Sequence, residues 1–174
     1  GLIDDLDASG GIGTGAATST DGRHRVGLTK YNGTSATVLS PLAAAGAAAT
    51  KALIPSSGSG NTPFKQGMAA GAADMTANDR TTDFGLEVRQ VIIFLSDGRP
   101  WPDDSTRRPN TTEIGAFQAA ADEVFSIAIG SGGGSSATAV DLALMQLLDN
   151  PDTGAYPTPG AHFANVLSAS DLSA

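Results

Sequence analysis

Cysteine is absent from the chain, which excludes disulfides, thiolate metal sites and cysteine nucleophiles. Charge and aromatic surface are scarce, with charged residues 16% and aromatic residues 5% of the 174. Basic groups are the scarcer sign: ten Lys and Arg against 18 carboxylates, a formal net charge of −8. That balance argues against a nucleic-acid backbone or an anionic membrane surface as partner. Glutamate is nearly missing too, since 15 of the acids are Asp and three are Glu. The carboxylates therefore sit on the residue that caps, turns and ligates hard cations rather than the one that fills helix interiors. Long hydrophobic runs are lacking. The longest, Val91 to Leu95, has five residues, against about 20 for a membrane-spanning helix, so no membrane insertion is expected of this segment.

What is present suits one α/β domain. Hydrophobic residues make up 40%, enough for a sizeable core and against wholesale disorder. Leu2, Ile3 and Leu6 share a helical face at the start. Ala8 to Gly22 is a Gly/Ser/Thr loop. Arg25 to Tyr31 reads as a strand, Asn32-Gly33 as a type I′ turn, and Ala36 to Leu39 as the returning antiparallel strand. An Ala-rich helix follows from Pro41 to about Leu53, and another from Phe64 to Ala77, where Gly67 and Gly71 would allow close approach of a neighbour. Asn78 to Gly85 is polar and turn-like. Arg89 to Leu95 is apolar on both faces, the pattern of a central parallel strand covered by helices, with Ile93 fully enclosed. After a proline-punctuated loop, a helix over Thr111–Asp122, a buried strand over Glu123–Ile129, a helix over Thr138–Leu148 and a short strand over His162–Val166 complete the alternation. Crossovers of this length permit parallel pairing.

This ordered set resembles a von Willebrand factor type A domain. RVGLTKY-NG-TSATVLSPL looks like the family's second strand, hairpin and third strand; SGSGNTPFKQGMAAGAADM like its small-residue loop and following helix; VIIFLSDGRP like its fourth strand; EVFSIAIG like its fifth. The resemblance runs from about Arg25 to Leu172. It implies an open, doubly wound, mostly parallel sheet with helices on both faces and one antiparallel edge strand. It also implies a metal-ion-dependent adhesion site at the strand C-termini, where hydroxyls and carboxylates hold Mg²⁺, Mn²⁺ or Ca²⁺ and a partner's carboxylate completes the coordination. Thr62 and Asp97 stand at two of the family's metal positions. Trp101, between two prolines, is placed as a possible ligand contact. The implied function is a non-catalytic adhesion or protein-binding module of an extracellular or cell-surface bacterial protein, recognising a protein or matrix ligand. The alternative is a metal-free structural building block of a pilus, adhesin or filament.

One part of the family pattern is missing. No first strand and no D-x-S-x-S segment is found; the nearest string, Asp7-Ala8-Ser9-Gly10-Gly11, lacks the second serine. The resemblance therefore reads 1–174 as a single domain clipped at both ends, with 1–24 the end of a first helix plus a loop and 25–174 the core. The metal would bind only if the missing loop were supplied. In the family the first strand lies between the second and fourth. An upstream segment or a second subunit is thus expected to fill a slot between RVGLTKY and RQVIIFL.

Each marked residue also has a plainer reading. Thr62 could N-cap the helix beginning near Pro63, and Asp97-Gly98 could be an ordinary turn. Gly130 to Gly134 reads as a strand-to-helix turn rather than a phosphate loop, because no lysine follows. Asp103-Asp104 with Asp83 reads as a solvated acidic loop before it reads as a second Ca²⁺ site. His24 and His162 lie in different elements, and no G-x-S-x-G elbow accompanies them. Asn32-Gly33-Thr34 and Asn110-Thr111-Thr112 are formal glycosylation sequons read as turn residues.

Overall fold

Strands and helices follow one another much as the hydrophobic periodicity dictates. In a computed structural model, which describes residues 1–14, 23–56, 60–79, 82–83, 86–130, 140–149 and 163–166, the order is α1 (Leu2–Gly10), β1 (Leu28–Asn32), β2 (Ser35–Ser40), α2 (Ala47–Leu53), α3 (Phe64–Ala77), β3 (Thr82–Asp83), β4 (Leu86–Glu87), β5 (Val91–Ser96), α4 (Thr111–Gln118), β6 (Glu123–Ile129), α5 (Leu142–Leu148) and β7 (Phe163–Val166). The fold is mixed α/β. β5, β6 and β7 form a three-stranded parallel sheet in that order, and β1 with β2 forms a separate antiparallel hairpin.

The parallel sheet has two unlike faces. Ile92, Phe94 and Ser96 stand opposite Val124, Ser126 and Ala128, and this face carries the core. Phe94, Val124 and Ala128 pack with Phe64 and Met68 of α3, Phe117 of α4, and Leu144, Met145 and Leu148 of α5. The Ser126 hydroxyl donates to the Met145 carbonyl at 2.7 Å, tying β6 to α5. On the other face Val91 and Leu95 are 37% and 42% exposed, and Ile93 is half-buried. The expected enclosure of Ile93 is therefore not found. Among the described residues, the helices packed on this sheet lie on one face, so the arrangement of helices on both faces is met on one side only.

The hairpin also differs from expectation. Asn32 pairs with Ser35 as part of the ladder, so the two loop residues are Gly33 and Thr34. Of these only Gly33 has positive φ, at 62°. Glycine at the first loop position with positive φ there alone is the preference of a type II′ rather than a type I′ turn. The hairpin is not an edge of the parallel sheet, because no backbone ladder joins β1 or β2 to β5, β6 or β7. It joins the sheet through a side chain. Tyr31 stacks on Phe94 (centroids 5.1 Å apart, planes at 12°) and meets Phe64 edge-on at 6.0 Å.

Capping explains the helix boundaries. Asn110 Oδ1 accepts from Glu113 N and Glu113 Oε2 accepts from Asn110 N, each at 2.9 Å, a reciprocal capping box that starts α4. Asp141 Oδ1 accepts from Leu144 N at 3.0 Å and starts α5. α2 is shorter than its Ala-rich sequence suggests. Asp74 of α3 takes the Leu42 amide at 2.9 Å, and Ala43 has a φ of 67°, which no helix interior tolerates. The polar stretch after α3 holds the short β3–β4 pair, which no apolar period announces.

Candidate functional site

The carboxyl end of β5 is the centre of the candidate site. β5 ends at Ser96, which is buried, and Asp97 follows, exposed. The Ser96 hydroxyl lies 3.3 Å from both Gly98 N and Gly98 O, holding the Asp97-Gly98 turn in place. From outside the strand the Tyr31 hydroxyl donates to the Leu95 carbonyl. Burial pushes the Tyr31 phenol well above its usual range; a hydrogen bond with Ser96 opposes this, and the Asp97 charge adds to it. Tyr31 and Ser96 thus brace the strand end from which Asp97 projects, exposed.

Thr62 is brought to the same region by its backbone. Thr62 N donates to Trp101 O and Trp101 N to Thr62 O, both at 3.3 Å, an isolated antiparallel bridge. This links the loop before α3 to the loop after β5. The N-cap reading of Thr62 does not hold: α3 begins at Phe64, Pro63 occupies the cap position, and no side chain caps it. The Thr62 hydroxyl has no hydrogen-bond partner among the described residues. Trp101 is 41% exposed. The same loop is braced further on by Lys65 N donating to Arg107 O at 2.9 Å and Gln66 Nε2 to Thr106 O at 2.7 Å.

The loop acids are otherwise engaged. Asp103 receives Arg99 at 2.7 Å and Arg108 at 2.6 Å, and the Arg108 bond foremost holds its carboxyl below the usual range. Arg108 also pairs with Asp141, which clamps the loop to the start of α5. Asp104 Oδ1 accepts from Thr106 N at 2.9 Å and from its hydroxyl at 2.6 Å. Asp103 and Asp104 accordingly brace the loop. The Asp83 side chain, His162 and Ser131 to Gly134 lie outside the described residues. Among the described residues no three His, Asp or Glu side chains converge on a point.

Near the N-terminus the structure pairs two residues that sequence reading left apart. Asp7 and Ser9 lie in the last turns of α1, so Asp7-Ala8-Ser9 is helical and not a loop after a strand. Asp7 Oδ1 accepts from Ile12 N at 3.1 Å. The Ser9 hydroxyl lies 3.0 Å from His24 Nε2 and also donates to the Leu6 carbonyl at 3.0 Å. A serine–imidazole contact resembles a nucleophile and its base. Yet no described carboxylate orients the imidazole, and Ser9 sits at a helix C-terminus, where no free N–H groups await an oxyanion. The signal that could have found the pair is the Ile12–His24 bridge, which is tertiary. The sequon residues have ordinary duties: Asn32 ends β1 and Asn110 caps α4.

No protein-family model, no curated protein and no solved structure matches this chain.

The oxygen donors of Thr62 and Asp97 fit a hard divalent cation in kind. In number they fall short, since Mg²⁺ takes about six ligands and Ca²⁺ six to eight. These two residues would hold the ion at one side, and the remaining positions would fall to water, added loop oxygens and a ligand carboxylate. Bound there, the cation would supply an electrophilic anchor for an acidic group.

Proposed function

We propose that the chain is a non-catalytic binding domain of the von Willebrand A kind, which recognises a protein or matrix ligand through a divalent cation at the carboxyl end of β5. Its setting is the outside of a bacterial cell; among the described residues no helix is long and apolar enough to cross a membrane. The reading rests on one observation, the Thr62–Trp101 backbone bridge, which brings the threonine loop and the aspartate loop together. Asp97 and Thr62 bind the ion, Ser96 and Tyr31 fix the turn that carries Asp97, and Trp101 offers an aromatic contact to the ligand.

Calorimetric titration with Mg²⁺, Mn²⁺ and Ca²⁺ tests this. The unmodified chain, with the missing loop supplied if it comes from elsewhere, should take up one ion, and Asp97→Ala should abolish uptake without changing the far-UV spectrum. Uptake undiminished in Asp97→Ala would remove Asp97 from the site. A chain that binds no ion in either form would favour the second reading, a metal-free building block of a filament or adhesin.

A further inference from the structure

We infer that Asp103 is a positioning residue for ligand recognition, its carboxylate fixing the pose of the loop that presents Trp101. The inference rests on the reading of Trp101 as a ligand contact and adds what holds that contact in place. Trp101 lies between Arg99 and Asp103, and those two belong to one ionic network. Asp103 Oδ2 accepts from Arg99 Nη2 at 2.7 Å and from Arg108 Nη2 at 3.3 Å, and Asp103 Oδ1 accepts from Arg108 Nε at 2.6 Å. One carboxylate thus joins the stretch before Trp101 to the stretch after it. Arg108 meets it with two nitrogens of a planar fork, which sets direction as well as distance. Arg108 Nη2 also donates to Asp141. The other oxygen of Asp141 caps α5 at Leu144 N, and Leu144 and Met145 are buried in the core. The network therefore ties the loop to the core through α5.

Backbone contacts tie the same loop to the α3 side, and the distances decide which tie is firmer at Trp101. The two Thr62–Trp101 bonds are 3.3 Å long, beyond the usual range of about 2.7–3.2 Å for N–H···O. The Asp103 contacts at 2.6 and 2.7 Å are short and charge-assisted, the stronger class. Removing the Asp103 charge would leave the like charges of Arg99 and Arg108 on either side of a neutral group. Asp104 is the internal contrast, since its carboxylate bonds stay with Thr106, two residues on. The Asp103 and Arg108 side chains are 31% and 36% exposed, and ion pairs so exposed add little to global stability. The contribution of Asp103 is thus to the pose of the loop and not to the fold.

Nuclear magnetic relaxation on the isotope-labelled 174-residue chain tests this. In the unmodified chain the amides of Arg99, Trp101 and Asp103 should have order parameters of about 0.85, those of rigid backbone. Asp103→Asn should lower them to about 0.6 or less while the far-UV spectrum and the urea midpoint are kept. Arg108→Lys, which keeps the charge and loses the fork, should lower them as well. Asp104→Asn should leave them unchanged. No loosening in Asp103→Asn would overturn the inference. Equal loosening in Asp103→Asn and Asp104→Asn would also overturn it, by showing a loop braced in general. Mn²⁺ alone, as a paramagnetic probe, separates this test from that of the cation site. Relaxation of the Trp101 indole N–H by bound Mn²⁺ should change about twofold or more in Asp103→Asn, because a loosened loop samples several distances from the ion. Mn²⁺ affinity should stay the same; an affinity lost as in Asp97→Ala would overturn the inference by making Asp103 a ligand of the ion. A chain that takes up no Mn²⁺ in any form fails the cation reading alone, and the order parameters then decide on Asp103.

Discussion

Tyr31 carries the contact between the two sheets. Its ring stacks on Phe94 and meets Phe64, and its hydroxyl reaches the Leu95 carbonyl. Burial holds the phenol above the ordinary tyrosine value, with the Asp97 charge adding. An unfolded tyrosine ionises near pH 10. Above that pH the unfolded chain releases this proton before the folded one does, so Tyr31's contribution to stability declines as pH rises. Tyr31→Phe should cost about 1 kcal/mol at neutral pH for the lost hydrogen bond and should flatten the alkaline decline. Urea midpoints across the alkaline range check both; parallel declines in the two chains would acquit Tyr31. The positions of Thr62 before α3 and of Asp97 and Trp101 after β5 were legible in the sequence because strand-end motifs are local. Tyr31 was not, since its hydroxyl bond spans 64 residues, and neither was the Ser9–His24 contact, which spans 15.

At the scale of elements, α3 offers an internal comparison. A Cβ on Gly67 would lie 2.7 Å from Tyr31 Cγ and 2.8 Å from Cδ1, whereas one on Gly71 would meet nothing within 4 Å. The ring cannot retreat, being stacked on Phe94. Gly67→Ala should therefore lose about 1–3 kcal/mol to overpacking, outweighing a helix-propensity gain of about 1 kcal/mol. Gly71→Ala should keep that gain and stabilise the protein. Thermal midpoints of the two variants should move in opposite directions; two shifts of one sign would show that Gly67 is not a packing glycine. The sequence spacing marked both glycines alike and could not tell which one faces a neighbour. β6 and α3 were found with their boundaries because periodicity and length agree there. β5 was misjudged on one face: VIIFL is apolar throughout, and a pattern of residue types cannot say whether a second helical layer exists. The II′ turn was missed because Asn-Gly also fits the ladder position next to the turn.

The whole molecule raises the question of whether the hairpin and the parallel sheet unfold as one. No ladder joins them. What does join them is the cluster of Tyr31, Phe64, Phe94 and Phe117, whose ring centroids lie 5.1 to 6.0 Å apart, together with α3 packed against β1 and β2. Aromatic pairs of this kind contribute about 0.5–1.5 kcal/mol each beyond area burial, and truncating a buried phenylalanine costs about 3–5 kcal/mol. That is a large part of the 5–15 kcal/mol or so that holds a typical domain. Phe94 touches all three other rings, so Phe94→Ala should destabilise both the hairpin and the parallel sheet. Trp101, the sole tryptophan, reports on the loop at the end of β5, and far-UV circular dichroism reports on all elements. In the unmodified chain the two denaturant transitions should coincide, as expected of one cooperative unit. In Phe94→Ala both should shift to lower denaturant together. A transition that splits already in the unmodified chain would mean that the hairpin and the parallel sheet are separate units in contact, and that the aromatic cluster is too weak to couple them.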